Sequence, residues 1–322
     1  MSINRNRCSR LIALYRKCCS WLNALCGLCL VALSARGEDR SITPQESDGS
    51  RSETNDGAQY SKDGTILLAG PKEVKSFTIP SSVTEIGRMA FCECGSLESI
   101  TIPSSVTKIG EKAFYHCGSL GSITIPSSVT EIGRGAFEDC GSLASIEAAS
   151  DNTKYSSIDG VLYSKDRKVL VICPGGRTSL TIPSSVTEIG EGAFARCGSL
   201  GSITIPSTVT KIGKAAFIGC GSLGSITIPS SVTEIGVGAF GGCGSLGSIT
   251  IPSSVTEIGA AAFFDCGSLE SITIPPSVTI IGRGAFKGCG SLESITIPSS
   301  VTRIGEGAFG GCGSLSSITI PS

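Results

Sequence analysis

The chain has 322 residues and nearly balanced charge, with 26 lysines and arginines against 27 aspartates and glutamates. No net field therefore favours nucleic acid or an anionic membrane as a partner. A single histidine and only 5% aromatic residues argue against an enzyme, because acid–base and metal chemistry depend so often on histidine. The sequence predicts no catalytic residue, no cofactor and no metal ion.

The first 35 residues have the three-part layout of a secretory signal. Basic residues between Arg5 and Lys17 precede an apolar run over 21–33, and Ala32 and Ser34 stand at the positions that a signal peptidase reads. The apolar run is shorter than the roughly 20 residues that a membrane-spanning helix needs. We expect residues 1–35 to be a cleaved signal peptide, with an uncleaved membrane anchor as the alternative. Either predicts a secreted or cell-surface protein.

Residues 36–57 are polar and charged apart from one isoleucine, Ile42. So little apolar surface cannot offset the entropy lost on ordering the segment, and we expect a flexible linker.

From residue 79 onward the segment Ile-Pro-Ser-Ser-Val-Thr recurs, with small variations, at a step of 23 residues, interrupted once by a step of 57 between Ile125 and Ile182. A fixed period in the twenties is typical of a solenoid, in which each unit buries its apolar face only against its neighbours. The copies open at Ile79, Ile102, Ile125, Ile182, Ile205, Ile228, Ile251, Ile274, Ile297 and Ile320. We predict a solenoid over residues 58–322, with regular blocks at 80–146 and 182–322 and an open strand edge at its carboxyl end.

One unit, Leu97 to Gly118, shows what each coil contributes. Residues 99–102 alternate polar and β-branched apolar side chains, which predicts a half-buried strand that Pro103 ends. An arc follows, with Val106 and Ile109 pointing inward. Glu111 to Cys117 is predicted to be a short helical turn whose inward members are Ala113, Phe114 and Cys117.

Two stretches outside the regular period are predicted to form hairpins. Residues 60–71 and 163–174 share a Tyr-Ser-Lys-Asp start, and the second has apolar runs at Val161–Tyr163 and Val169–Ile172 on either side of a polar turn. We expect residues 58–79 to cap the amino-terminal edge of the solenoid, and 147–181 to form an irregular unit between the two blocks.

Cysteine recurs at one repeat position and is predicted to form a buried column. Stacked side chains point in parallel, whereas a disulfide needs Cβ atoms that face each other at about 3.8 Å. Small buried hydrophobes are therefore favoured over disulfides or a metal site. The single histidine, His116, is predicted to lie on the surface. The column comprises Cys94, Cys117, Cys140, Cys197, Cys220, Cys243, Cys266, Cys289 and Cys312.

The phrase Ile-Pro-Ser-Ser-Val-Thr-Glu-Ile-Gly-x-x-Ala-Phe-x-x-Cys-x-Ser-Leu resembles the BspA-like leucine-rich-repeat family, over Phe77 to Ser322. The resemblance implies a horseshoe with a parallel β-sheet on its concave face and short helical turns on its convex side. It also implies a surface or secreted protein of a host-associated microbe, acting in adhesion to host matrix proteins or to other cells.

Each strand carries a Ser-x-Thr pair whose members lie on the same side of the sheet. The predicted concave surface is therefore a uniform array of hydroxyl groups, which favours weak repeated contacts with a repetitive partner over one tuned ligand. The alternative is that these residues are only soluble β-formers. The candidate residues are Ser99, Thr101, Ser122, Thr124, Ser202, Thr204, Ser225, Thr227, Ser248, Thr250, Ser271, Thr273, Ser294 and Thr296.

Three functions fit this sequence. The first is a non-enzymatic, exported protein that mediates adhesion or protein–protein interaction, with a host matrix or cell-surface protein as partner. The second is a structural spacer or a module that self-associates through the open carboxyl-terminal edge. The third is a binder of a regular lattice, ice or a crystalline glycan, through the Ser-x-Thr columns. Contact with nucleic acid is not expected, and contact with a membrane only through an uncleaved amino-terminal segment.

Overall fold

A computed structural model describes residues 52–53 and 57–319. The predicted signal or anchor over 1–35 lies outside these residues, and so does the predicted linker over 36–57, except for Ser52, Glu53 and Gly57. Ser52 and Glu53 pair antiparallel with Tyr60 and Gln59. The proposed domain boundaries stay predictions.

The described chain consists of short β-strands joined by turns, with no helix in it. In chain order the strands are β1 Ser52–Glu53, β2 Gln59–Tyr60, β3 Ile66–Ala69, β4 Ser76–Thr78, β5 Glu85–Ile86, β6 Ser99–Thr101, β7 Lys108–Ile109, β8 Ser122–Ile125, β9 Glu131–Ile132, β10 Ser145–Ala148, β11 Tyr155–Ile158, β12 Val161–Ser164, β13 Val169–Ile172, β14 Ser179–Thr181, β15 Glu188–Ile189, β16 Ser202–Thr204, β17 Lys211–Ile212, β18 Ser225–Thr227, β19 Glu234–Ile235, β20 Ser248–Thr250, β21 Glu257–Ile258, β22 Ser271–Thr273, β23 Ile280–Ile281, β24 Ser294–Thr296, β25 Arg303–Ile304 and β26 Ser317–Thr319.

Each regular coil contributes two strands, and successive coils pair in parallel at the 23-residue step. The Ser-x-Thr strand of one coil lies in register with that of the next, as Ser225 does with Ser248. The arc contains a second, two-residue strand that the sequence did not predict, and Lys211 is in register with Glu234 there. These arc strands form longer ladders than the Ser-x-Thr strands, in the orders β3-β5-β7-β9 and β13-β15-β17-β19-β21-β23-β25.

The predicted helical turns are wrong, and the structure has consecutive tight turns in their place. Lys112 and His116 have φ angles of 53° and 59°, and the right-handed helix does not tolerate such values. Alternate amides of the segment also donate outside it. Phe114 N, for example, donates to Ala136 O of the next coil at 2.8 Å. An α-helix would need those amides for its own carbonyls four residues back.

The inward side chains form continuous columns through the stack, as the period predicts. Phe240 is fully buried, and its ring stacks on Phe217 at 5.3 Å and on Phe263 at 5.5 Å, nearly parallel to both. Leu97, at the start of the unit described above, and Cys117, at its end, are buried as well. Burial of such columns is the main favourable contribution to folding in a repeat stack.

Both predicted hairpins form antiparallel pairs, β2 with β3 and β12 with β13. The irregular unit adds a third strand, β11, which pairs with β12. Asn152, which precedes β11 in the chain, is the one polar residue of the described part that is buried. Its Nδ2 donates to Pro126 O at 2.7 Å and Val129 O at 3.0 Å, and its Oδ1 accepts from Lys154 N and Tyr155 N. Asn152 therefore satisfies Val129 O, which a hydroxyl of the next regular coil would otherwise satisfy, and it shares Pro126 O with Val129 N.

Candidate functional site

The Ser-x-Thr strands present one hydroxyl-covered face. In β16, β18, β20, β22 and β24 the serine and threonine are exposed, and the isoleucine between them is buried or half-buried. Because the strands are in register, serine lies beside serine and threonine beside threonine. The fourteen candidate residues named from the sequence all lie on this face, which we call the Ser-x-Thr face.

Hydroxyl groups next to the arc strands are engaged in the fold. Ser105 Oγ donates to Val83 O at 2.7 Å and Ser231 Oγ to Val209 O at 2.6 Å, and Thr208 Oγ1 donates to Val186 O in the same way. The serine or threonine ahead of the arc valine thus ties most regular coils to the previous one. Thr107 and Thr130 Oγ1 make longer bonds of the same kind. Within residues 57–319, the fourteen hydroxyls of the Ser-x-Thr face make no hydrogen bond to another protein group. The hydroxyls of the Ser-x-Thr face are therefore available to a ligand, and they differ from other exposed serines, such as Ser81 and Ser104, in forming in-register pairs along a sheet.

The face is larger than the sequence pattern indicated. Ser76 and Thr78 extend it at β4, and Ser179 and Thr181 at β14, all of them exposed and in register with the next coil. A search for Ser-Ile-Thr missed them because the central residue is phenylalanine or leucine. Counting back 23 residues from β6 and β16 would have found them. Glu147 replaces the threonine in β10 and accepts a bond from Ser157 Oγ at 2.7 Å, so the array is interrupted there.

Charge is concentrated on the arc strands. Lys108 lies between Glu85 and Glu131, at 3.7 and 3.6 Å, and Lys211 lies between Glu188 and Glu234 in the same way. These exposed pairs contribute little to stability, on the order of 0–1 kcal/mol each. Their charges already compensate one another. The arc face is thus a less favourable surface for a charged partner than its composition suggests.

Eight members of the cysteine column are buried, as predicted, while Cys312 is half-buried. Every described cysteine is a free thiol, and the Sγ atoms donate to carbonyls of the preceding coil, Cys266 to Phe240 O at 3.1 Å and Cys289 to Phe263 O at 3.1 Å. Burial raises the pKa of Cys94 to about 11 and that of Cys289 to about 12. Neutral, inaccessible thiols are poor nucleophiles and poor metal ligands.

The described residues offer little for catalysis. His116 is exposed and its Nδ1 lies 3.0 Å from Asp139 Oδ2. No group of three or more His, Cys, Asp or Glu in the described part is arranged to hold a metal ion. Among the same residues, no helix is long and apolar enough to cross a bilayer.

Comparisons with known proteins agree with this architecture. The family model of the BspA-type leucine-rich-repeat region, which describes sequences, matches residues 69–159, 176–289 and 211–322 in six copies. No curated protein matches the sequence.

Similar solved structures include a leucine-rich cell-surface protein of Faecalibacterium prausnitzii, which is 36% identical with a TM-score of 0.56 over 78% of this chain and 61% of that chain. A leucine-rich-repeat protein of Eubacterium ventriosum is 30% identical with a TM-score of 0.60, over 80% and 81%. The pneumococcal vaccine antigen PcpA, at 19% identity and a TM-score of 0.51 over 84% and 87%, shares the fold. This chain spans less than two thirds of the Faecalibacterium protein. With its period, its stacked coils and this family match, the chain belongs to the BspA-type leucine-rich-repeat proteins.

Proposed function

We propose that this is an exported or cell-surface protein that mediates adhesion or protein–protein interaction through the Ser-x-Thr face. The observation that carries the proposal is the in-register array of exposed hydroxyls on this face. Hydroxyls ahead of the arc valines bond to the neighbouring coil, whereas those of the Ser-x-Thr face are exposed and make no bond within the described chain. The layout of the first 35 residues and the cell-surface description of the Faecalibacterium relative support the location.

The regularity of the face indicates how it binds. Exposed hydroxyls repeat at the strand spacing of roughly 4.8 Å and differ little from coil to coil. Each contact with such a surface is weak, but linked contacts raise the overall affinity when the partner also repeats. A host matrix protein or a repetitive cell-surface protein fits this requirement.

Paired triple variants test the proposal. T227K/T250K/T273K places three lysines on the Ser-x-Thr face of three neighbouring coils. T233K/T256K/T279K places three lysines on the arc face of the same coils. Binding of the chain over 36–322 to immobilised matrix proteins and to intact bacterial cells is then measured by surface plasmon resonance and by cell adhesion. We expect at least a tenfold loss of affinity for the first variant only. Equal binding by both variants would refute the assignment of the face.

Self-association is a second proposal, supported by the near-identical coils and by the exposed side chains of Ile304 and Ile318. The variant I304K/I318K is expected to abolish any concentration dependence of the mass measured by light scattering. A wild-type chain that stays monomeric at high concentration would refute this second proposal and leave the first untouched.

A further inference from the structure

The turns of neighbouring coils are joined by a ladder of three backbone hydrogen bonds, and one ladder is missing. In a regular pair of coils the amides of Lys112, Phe114 and His116 donate to carbonyls of the next coil at 2.8–3.0 Å. In each described coil that is followed by a regular coil, the amides at these three positions donate to carbonyls of the next coil. The third coil differs. Within the described chain, the amides of Gly135, Phe137 and Asp139 donate to no backbone carbonyl.

The ladder is missing after the third coil because the chain takes a shorter path through the irregular unit. Leu170 and Leu180 are in register with Ile189 and Ile203 of the next coil. Leu180 follows Leu170 by 10 residues, whereas Ile203 follows Ile189 by 14. The four missing residues would have formed the outer turn. A crevice of about 90 Å³ remains in its place, lined by the turns at 132–138 and 191–195 and by Val171, Ile172 and Cys173.

The other continuous features also stop at this boundary, which we call the joint. The arc ladder that includes β9 ends there, and the next begins with β11. Phe137 stacks on Phe114, and the phenylalanine stack starts again between Phe194 and Phe217. The buried core divides into two clusters. In β12 Leu162 belongs to the first, while Val161 and Tyr163 belong to the second.

Two ion pairs cross the joint where the backbone ladder is missing. Arg134 Nε lies 3.4 Å from Glu191 Oε1, and Arg196 Nε lies 2.9 Å from Glu138 Oε1. The first pair is about half exposed, with fractional exposures of 45% and 50%, so it is weak and screened by salt. All four charges are compensated within the joint, so the crevice offers no unpaired charge to a ligand.

We infer that the joint is a hinge between two rigid blocks, 58–146 and 182–319, and that the two ion pairs hold it closed. Within each block a bend would break backbone ladders and separate stacked rings. At the joint, Gly176 N donates to Leu143 O at 2.9 Å and Ile146 N to Gly160 O at 2.8 Å. A bend about these retained bonds opens the outer turns, where the missing ladder leaves only side-chain contacts. The hinge stands independently of the proposed binding role. When the joint bends, the two parts of the Ser-x-Thr face on either side of Glu147 change their orientation relative to each other.

Single-molecule fluorescence energy transfer tests the hinge in the full chain. Dyes are attached through unnatural amino acids at the exposed positions Ser81 and Ser299, which are roughly 45 Å apart if coils follow the strand spacing. We expect R134Q/R196Q, and the wild type in 1 M NaCl, to widen the transfer-efficiency distribution by at least half. R283Q, which breaks the comparable Arg283–Glu306 pair inside the second block, is the matched control and should leave the width unchanged.

Hydrogen exchange supplies the second readout. Amides of Phe114 and Phe240 should keep their protection in R134Q/R196Q, which shows that both blocks remain folded. Should that variant misfold, the salt titration of the wild type decides the question. Equal widths in low and high salt, or equal widening by R283Q and R134Q/R196Q, would overturn the hinge.

Discussion

Truncation of one ring in the middle of the phenylalanine column tests the stacked-coil arrangement. Phe240 is fully buried and lies between two nearly parallel rings at 5.3 and 5.5 Å. Removing a buried phenylalanine side chain costs about 3–5 kcal/mol, and the two ring contacts account for roughly 0.5–1.5 kcal/mol each. We therefore expect Phe240→Ala to lower the free energy of unfolding by about 4 kcal/mol.

The matched control is Phe309→Ala. Phe309 is half-buried and stacks on one ring, Phe286, at 5.5 Å, so its truncation should cost about half as much. Unfolding in urea is followed by far-UV circular dichroism, because the only tryptophan, Trp21, lies in the predicted signal segment. A Phe240→Ala midpoint equal to that of the wild type, or a larger loss for Phe309→Ala, would refute the continuous buried column.

Three further predictions concern the thiols, the turns and the irregular unit. The pKa of Cys289 is raised in the folded state from 9.0 to about 12, so its contribution is complete below pH 9 and is lost as pH rises toward 12. The free energy of unfolding measured in urea should fall between pH 9 and pH 12, and in Cys289→Ala the fall should be smaller by about 1.4 kcal/mol per pH unit. A rise of stability with pH in this range would contradict the sign. Ala261 has a φ of 53°, which glycine adopts more easily, so Ala261→Gly should stabilise the fold by about 0.5–1 kcal/mol. Ala262→Gly removes a buried methyl group and should destabilise the fold by about 1–2 kcal/mol. Effects of the same sign in both variants would be evidence against the turn geometry. Asn152→Ala leaves Val129 O and the amides of Lys154 and Tyr155 without this partner, while Pro126 O keeps its bond from Val129 N. The substitution should cost about 2–3 kcal/mol by urea unfolding, and a neutral effect would rule out the bonding role of this side chain.

The 23-residue period by itself determined which side chains point inward. The alternation at Ser99 to Ile102 and the placement of Phe114 and Cys117 follow from residue type and spacing, because only one face of each coil can be buried. The hairpin at β12 and β13 was also predictable, since its turn residues and its apolar runs are adjacent in sequence.

The tertiary structure alone decided how the backbone hydrogen bonds are distributed. Glu111 to Cys117 has a spacing that suits a helical turn, but its alternate amides bond to carbonyls of the next coil, 22 residues further along the chain. The second strand of each arc and the free hydroxyls of the Ser-x-Thr face depend on the same neighbour. So does the joint, where no regular coil follows Phe137. A local sequence pattern cannot specify these features, because the hydrogen-bond partners of these amides and hydroxyls come within reach only when the coils stack.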